Sequence, residues 1–95
     1  MVVKNQIHVI VSGLVQGVFF RDFTRQHAIK LGIKGRVRNL PNRNVEIIAE
    51  GEKDKLNQFI EKVKEGPSAS AVKDCEIEWK EFSGEYTDFE IIYFD

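Results

Sequence analysis

The chain has 95 residues, of which 42% are hydrophobic and 11% aromatic, enough for one compact core but too few for two independent domains. Its 14 Lys and Arg residues are balanced by 15 Asp and Glu residues, and the net charge of -1 is unlike that of typical nucleic-acid-binding proteins. The single cysteine, Cys75, excludes an internal disulfide, and no run approaches the ~20 apolar residues that a membrane span requires. We therefore predict one domain over residues 1–95, located in the reducing cytoplasm and not associated with a membrane.

The first half of the chain has the pattern of a strand, a helix and a hairpin. Residues 7–12 are rich in β-branched side chains and stop at Gly13, which is typical of a buried strand. From about Phe19 the apolar residues fall on one helical stripe, which ends at Gly32. Residues 34–39 and 45–51 are short strand-like runs joined by a segment containing Pro and Asn, so they should pair as antiparallel neighbours.

The second half adds a helix and two strands. The clearest helix has apolar residues at i, i+3, i+4 and i+7, followed by a Gly-Pro pair that ends it: Leu56, Phe59, Ile60 and Val63, then Gly66 and Pro67. Residues 72–82 alternate partly between apolar and charged side chains, and residues 89–94 form a last strand. The order β-α-β-β-α-β with a short extra C-terminal strand predicts an α+β, ferredoxin-like antiparallel sheet with both helices on one face.

A loop that begins at Gly13 and ends at Phe20 leaves the first strand and enters the first helix. Glycine at positions 13 and 17 lets backbone amides converge, and the first helical turn adds unpaired N–H groups with roughly half a positive charge. Arg21 lies in that turn and offers a planar fork of donors that fits two phosphate oxygens. The same residues also fit an ordinary strand-to-helix turn with a surface arginine, so spacing alone leaves both interpretations open.

The residues of this loop, taken in order, resemble a family signature. The run Gly-Leu-Val-Gln-Gly-Val-Phe-Phe-Arg at 13–21 closely resembles the acylphosphatase motif Gly-x-Val-Gln-Gly-Val-x-Phe/Tyr-Arg. A second family motif, Gly-x-Val-x-Asn followed by Val-Glu, is present at 35–39 and 45–46, and the resemblance covers nearly the whole chain. Two positions depart from the pattern: Leu14 stands where relatives often carry a basic residue, and residues 42–44 lack the usual turn glycine. Asparagine tolerates the positive φ that such a turn needs, so we still expect the turn to form.

The resemblance implies an acylphosphatase that hydrolyses the carboxyl-phosphate bond of an acyl phosphate to a carboxylate and inorganic phosphate. It makes Arg21 the phosphate-binding residue and Asn39 the residue that holds the attacking water. Inorganic phosphate is expected as product and inhibitor, and the chain is expected to act as a monomer. Loop residues whose backbone amides are expected to bind the phosphate are Val15, Gln16, Gly17, Val18, Phe19 and Phe20.

The residues near this loop fit a reaction with a good leaving group. No cysteine, paired carboxylates or histidines at metal-ligand spacing lie near it, so we expect neither a metal nor another cofactor. An arginine, a set of amides and a carboxamide cannot easily protonate an alkoxide. A carboxylate leaves without a proton, because the pKa of its acid is about 4.

Other residues and functions have plainer interpretations. The two histidines, together with Trp79 and Phe82, are expected to be structural, and Cys75 should fill core volume. A non-catalytic anion-binding regulatory domain is the main alternative function, whereas an RNA-binding module of the same fold would need stacking aromatics that are missing here. Three arginines around the second motif either steer an anionic substrate or are ordinary exposed charges: Arg36, Arg38 and Arg43.

Overall fold

The computed structural model describes residues 1–93 and contains the predicted succession of elements, so the predicted fold class is confirmed. Strand β1 extends from Lys4 to Leu14 rather than from 7 to 12, and the predicted last strand reaches Phe94, which lies outside the described residues. Neither helix of the described part is long and apolar enough to cross a bilayer. The elements are β1 (Lys4–Leu14), α1 (Phe20–Lys30), β2 (Lys34–Asn39), β3 (Val45–Glu52), α2 (Lys53–Glu65), β4 (Ala71–Glu81) and β5 (Phe89–Ile92).

The five strands form one sheet in the order β4-β1-β3-β2-β5. Strand β1 pairs antiparallel with β3 and β4, and β2 pairs antiparallel with β3, but β5 runs parallel to β2. The predicted antiparallel pairing is therefore confirmed for β1 to β4, and it is wrong only for β5, the predicted short extra strand. The reason is the path of the connection: the chain leaves β4 at the end of the sheet where β2 begins. Residues 82–88 cross that end, so β5 starts in the same direction as β2.

Both helices pack on one face of the sheet. Alternate residues of the three central strands are buried on that face, as shown by Val9 in β1 and Val37 in β2, which both pair with Ile47 in β3. Helix α2 covers them with the four apolar residues that its periodicity singled out, all of which are buried. The rings of Phe59 and Phe89 meet edge to face with centroids 6.1 Å apart, which joins β5 to the same core.

One buried carboxylate holds the segment that crosses the end of the sheet. Glu50 is 1% exposed and accepts hydrogen bonds from Ser83 N at 2.7 Å, Ser83 Oγ at 2.6 Å and Gly84 N at 3.1 Å. Gln6 Nε2 donates a further hydrogen bond at 2.7 Å. Burial alone would raise the pKa of Glu50, but these hydrogen bonds stabilise the ionised form and bring the pKa below its ordinary value. Glu50 therefore fixes the route by which β5 reaches its edge of the sheet.

Candidate active site

The ends of β1 and β2 lie at the same end of the sheet, on either side of β3. Val11 of β1 and Asn39 of β2 both pair with Val45 at the start of β3. The loop that follows β1 and the asparagine that ends β2 are therefore neighbours, although they are far apart along the chain. Strand pairing thus brings the two sequence motifs to one place.

The loop leaves β1 at a point where only glycine fits. The pairing of β1 with β4 shifts register between Ser12 and Gly13. Gly13 has a φ of 122°, and a Cβ at this position would overlap the carbonyl oxygen of Ala71. Gly17 has a φ of 72°, a conformation that is costly for residues with a Cβ. The two glycines of the motif therefore permit the backbone directions that this loop requires.

Unpaired backbone N–H groups precede α1. Across the described part of the chain, the amides of residues 16–19 donate no hydrogen bond to a backbone or side-chain acceptor. Phe19 is the N-cap residue of α1, and its side chain supplies no capping hydrogen bond. Because the peptide dipoles of a helix place roughly half a positive charge at its N-terminus, this segment is suited to bind an anion.

A cavity of about 290 Å³ at this end of the sheet contains most of the predicted site residues. Arg21 and Asn39 both contribute to its walls, so the two residues with predicted chemical roles border a common space. Gln16 and Val18 of the predicted set do not line it, and Val18 packs against the core instead. The lining consists of Val15, Gly17, Phe19, Phe20, Arg21 and Asn39 from the predicted set, together with Asp22, Ile91 and Tyr93.

The charge of Arg21 is available to an anion in this cavity. Its Cζ lies 4.9 Å from the centroid of the Tyr93 ring, a cation–π contact that holds the guanidinium without using its N–H donors. Within residues 1–93, Arg21 forms no ion pair with a carboxylate. Asp22 also lines the cavity, where its carboxylate repels an anion. The same carboxylate lies in the first turn of α1 and interacts favourably with the helix dipole. Tyr93 and Ile91 were not predicted as site residues, because they reach the cavity through the parallel pairing of β5.

The carboxamide of Asn39 carries a buried oxygen without a partner. Its Oδ1 accepts no hydrogen bond from any residue that the structure describes. Leaving such a group unsatisfied costs about 1–3 kcal/mol, so a donor on a bound molecule would be stabilised there. Asn5 Oδ1 is unpartnered as well, but Asn5 lies at the opposite end of β1. The unpartnered oxygen of Asn39 is informative because Asn39, unlike Asn5, lines the cavity that Arg21 also lines.

Gln16 contributes through its side chain, a role that was not predicted from the sequence. Its Nε2 donates hydrogen bonds to the carbonyl oxygens of Leu40 at 2.9 Å and Asn44 at 2.8 Å. These carbonyls belong to the turn that follows Asn39, which is also closed by a hydrogen bond from Leu40 N to Asn44 O at 2.9 Å. Gln16 therefore connects the loop between β1 and α1 to the hairpin that carries Asn39. The sequence did contain evidence for this role, because a position that contributes only its backbone N–H would not require a glutamine side chain.

The hairpin turn contains one strained residue. We expected an asparagine at the position of positive φ, but Arg43 occupies it with a φ of 75°. The asparagines support the turn differently, because Asn42 Oδ1 accepts a hydrogen bond from Asn44 N at 3.1 Å. The turn thus forms without the usual glycine, with its strain at Arg43.

Glu46 forms a charge cluster with His8 and Arg38 on the face of the sheet that the helices leave open. Arg38 Nε donates to Glu46 Oε1 at 2.7 Å, and His8 Nε2 lies 2.9 Å from Glu46 Oε2. Burial would raise the pKa of Glu46, but the hydrogen bonds from His8 and Arg38 lower it overall.

Cys75 packs against the core, and burial raises the pKa of its thiol. Within residues 1–93, no group of three or more His, Cys, Asp or Glu side chains is arranged to hold a metal ion.

Comparison with known proteins identifies relatives over almost the full chain. The family model described as acylphosphatase matches residues 7–91. A curated acylphosphatase from Dehalococcoides mccartyi strain CBDB1 is 46% identical over 86 residues, which cover 90% of this chain and 94% of the relative.

Solved structures of acylphosphatases show the same architecture. The crystal structure of acylphosphatase from Bacillus subtilis matches with a TM-score of 0.91 at 38% identity, covering 94% of this chain and 99% of that chain. An acylphosphatase from Coxiella burnetii matches with a TM-score of 0.88 at 40% identity, covering 94% of this chain and 93% of that chain. Sequence and fold agree, and the chain belongs to the acylphosphatase family.

Proposed function

We propose that this chain hydrolyses the carboxyl-phosphate bond of acyl phosphates, releasing a carboxylate and inorganic phosphate. The observation that carries the proposal is the common cavity of Arg21, Asn39 and the glycine-containing loop. Membership of the acylphosphatase family over residues 7–91 favours hydrolysis over a non-catalytic role in anion binding. It also disfavours RNA binding, as does the net charge of -1.

Arg21 and the loop amides hold the phosphoryl group of the substrate. The guanidinium donates in parallel to two phosphate oxygens, and backbone N–H groups of the loop that enters α1 donate to the oxygens that remain. Negative charge spreads over the equatorial oxygens as the bond to the leaving group breaks, so these donors stabilise the transition state more than the bound substrate. Fixed donors in a walled cavity need no reorganisation during this step.

Asn39 positions the attacking water. Its Oδ1, which is buried and lacks a donor among the described residues, accepts one O–H of the water. This hydrogen bond directs a lone pair of the water oxygen at phosphorus, in line with the departing carboxylate. A carboxamide is not a base near neutral pH, so the proton passes from the water to a phosphate oxygen of the substrate. The carboxylate departs unprotonated because the pKa of its acid is about 4.

The mechanism requires no metal ion, other cofactor or covalent intermediate. Inorganic phosphate fits the same donors as the substrate phosphate, so it is expected to inhibit as a competitive product. We propose in addition that the chain acts as a monomer in the cytoplasm, without nucleic acid or membrane as a partner.

The proposal is tested by steady-state hydrolysis of acetyl phosphate by the wild type and by Arg21→Ala, with and without a chelator. We expect Arg21→Ala to lower kcat/KM by about a hundredfold or more and to weaken inhibition by inorganic phosphate, because a charged donor to the transition state is lost. The control is Arg25→Ala on the same helix, whose Nε donates to Phe89 O at 3.2 Å outside this cavity, and which should keep most of the activity.

Each outcome of this experiment separates one part of the proposal from the others. A wild type without turnover would reject the function. Near-normal hydrolysis by Arg21→Ala would remove that residue from the mechanism. Activity that is lost on chelation would overturn the metal-free chemistry.

A further inference from the structure

The backbone conformation of Phe19 and the exposure of its side chain are both unfavourable for the stability of the fold. Its φ of 62° lies in the left-handed region, which residues with a Cβ adopt only at a cost. Its aromatic side chain is 79% exposed and makes no ring contact with another described aromatic residue. Glycine would relieve the backbone, and a polar side chain would be better hydrated. Strained residues concentrate at functional sites, so the ring of Phe19 requires an explanation in terms of binding.

A second exposed aromatic ring lines the same cavity. Tyr93 is 66% exposed, and its ring lies against the guanidinium of Arg21. Ile91 of β5 adds an aliphatic side chain to this wall. The cavity thus has a polar part, to which Arg21, Asp22 and Asn39 contribute. Its apolar part is formed by Phe19, Ile91 and Tyr93.

We infer that Phe19, with Tyr93 beside it, forms the subsite for the acyl group and makes the chain selective for acyl phosphates with an aromatic acyl group. The inference rests on the proposed function, because it assigns the apolar part of the cavity to the group bonded to the phosphate. In an acyl phosphate only one oxygen separates phosphorus from the carbonyl carbon. The acyl group must therefore lie close to the guanidinium that holds the phosphate, where the Tyr93 ring lies.

An aromatic acyl group gains more from these walls than a small one does. Its planar ring can stack on or meet the edge of the Phe19 ring, which shields apolar surface of both from water. The methyl group of acetyl phosphate offers little surface for such a contact. Because the acyl group stays bound until the carboxylate departs, this contact contributes to substrate binding and should appear mainly in KM.

The test compares kcat/KM for benzoyl phosphate with kcat/KM for acetyl phosphate in the wild type and in three variants. Phe19→Ala removes the ring but keeps a Cβ, so the backbone strain is unchanged, and we expect the benzoyl-to-acetyl ratio to fall about tenfold through KM for benzoyl phosphate. Phe19→Tyr retains the ring and should retain the ratio. Leu14→Ala is the matched control, because Leu14 is an apolar, 57% exposed residue of the same loop that lines a different cavity. Its ratio should equal that of the wild type.

The outcomes distinguish this inference from the function on which it rests. If both substrates are hydrolysed and Phe19→Ala keeps the wild-type ratio, the acyl subsite is rejected while the proposed function stands. A similar fall of the ratio in Leu14→Ala also rejects the subsite, since the effect would not depend on the cavity. A wild type that hydrolyses neither substrate rejects the proposed function and the subsite together.

Discussion

The side chain of Gln16 should stabilise the fold and the catalytic geometry at the same time. Its Nε2 donates to the carbonyl oxygens of Leu40 at 2.9 Å and Asn44 at 2.8 Å, so Gln16→Ala removes the donor of both hydrogen bonds. At a net value of about 0.5–1.5 kcal/mol for each bond, the free energy of unfolding should fall by about 1–3 kcal/mol. For a chain of 95 residues, each kcal/mol corresponds to roughly 4–8 °C in Tm.

Two measurements on Gln16→Ala check this expectation. Urea denaturation gives the free energy of unfolding, and hydrolysis of acetyl phosphate gives kcat and KM. Because Asn39 directly precedes the turn that Gln16 holds, we expect a lower kcat with a smaller change in KM. Gln26→Ala is the control: Gln26 is an exposed glutamine on α1, and its substitution should change the free energy of unfolding by less than about 0.5 kcal/mol.

If Gln16→Ala and Gln26→Ala had the same free energy of unfolding and the same kcat, the side chain of Gln16 would have no role in stability or in catalysis. A Gln16→Ala variant that is less stable but has wild-type kcat would limit the role of these bonds to the turn. In that case Asn39 would be positioned by β2 alone.

Two further predictions concern the fold around the site. Glu50→Gln removes a buried charge that accepts four hydrogen bonds, so chemical denaturation should show a free energy of unfolding that is lower by about 2–4 kcal/mol. A decrease below about 0.5 kcal/mol would contradict the role of Glu50 in anchoring residues 82–88. Because folding lowers the pKa of Glu50, its contribution to the free energy of unfolding should be complete above the unfolded-state pKa of about 4.3. That contribution should decline as the pH falls through the lower folded-state pKa. The decline should be smaller in Glu50→Gln. Arg43→Gly relieves a residue with a φ of 75° and should raise the free energy of unfolding by about 0.5–1 kcal/mol, so a decrease would show that the Arg43 side chain outweighs the strain.

Local patterns predicted the elements that build the site. The expected bounds of 34–39 coincide with β2, because Gly32 and Pro41 mark the chain on both sides of that strand. The apolar stripe of α2 depends only on helical spacing, and all four of its residues are buried. Glycine spacing likewise indicated where the loop leaves β1, since the backbone there takes angles that favour glycine.

Features that depend on contacts across the fold could not be predicted in this way. The parallel pairing of β5 follows from the path of residues 82–88, which Glu50 holds through partners far away along the chain. Tyr93 reaches the cavity only because of that pairing, so no local pattern marked it as a site residue. The link from Gln16 to Leu40 also joins two segments that only the sheet brings together.

The central claim is that Asn39 holds the water that attacks phosphorus, whereas Arg21 and the loop amides hold the phosphate. It is tested most directly by measuring, for Asn39→Ala, the kcat for acetyl phosphate together with the inhibition constant of inorganic phosphate. We predict that kcat falls by about a hundredfold or more while the inhibition constant stays nearly the same, because the position of the water matters in the transition state and not for phosphate binding. Equal losses in turnover and phosphate affinity would contradict the claim and assign Asn39 to phosphate binding.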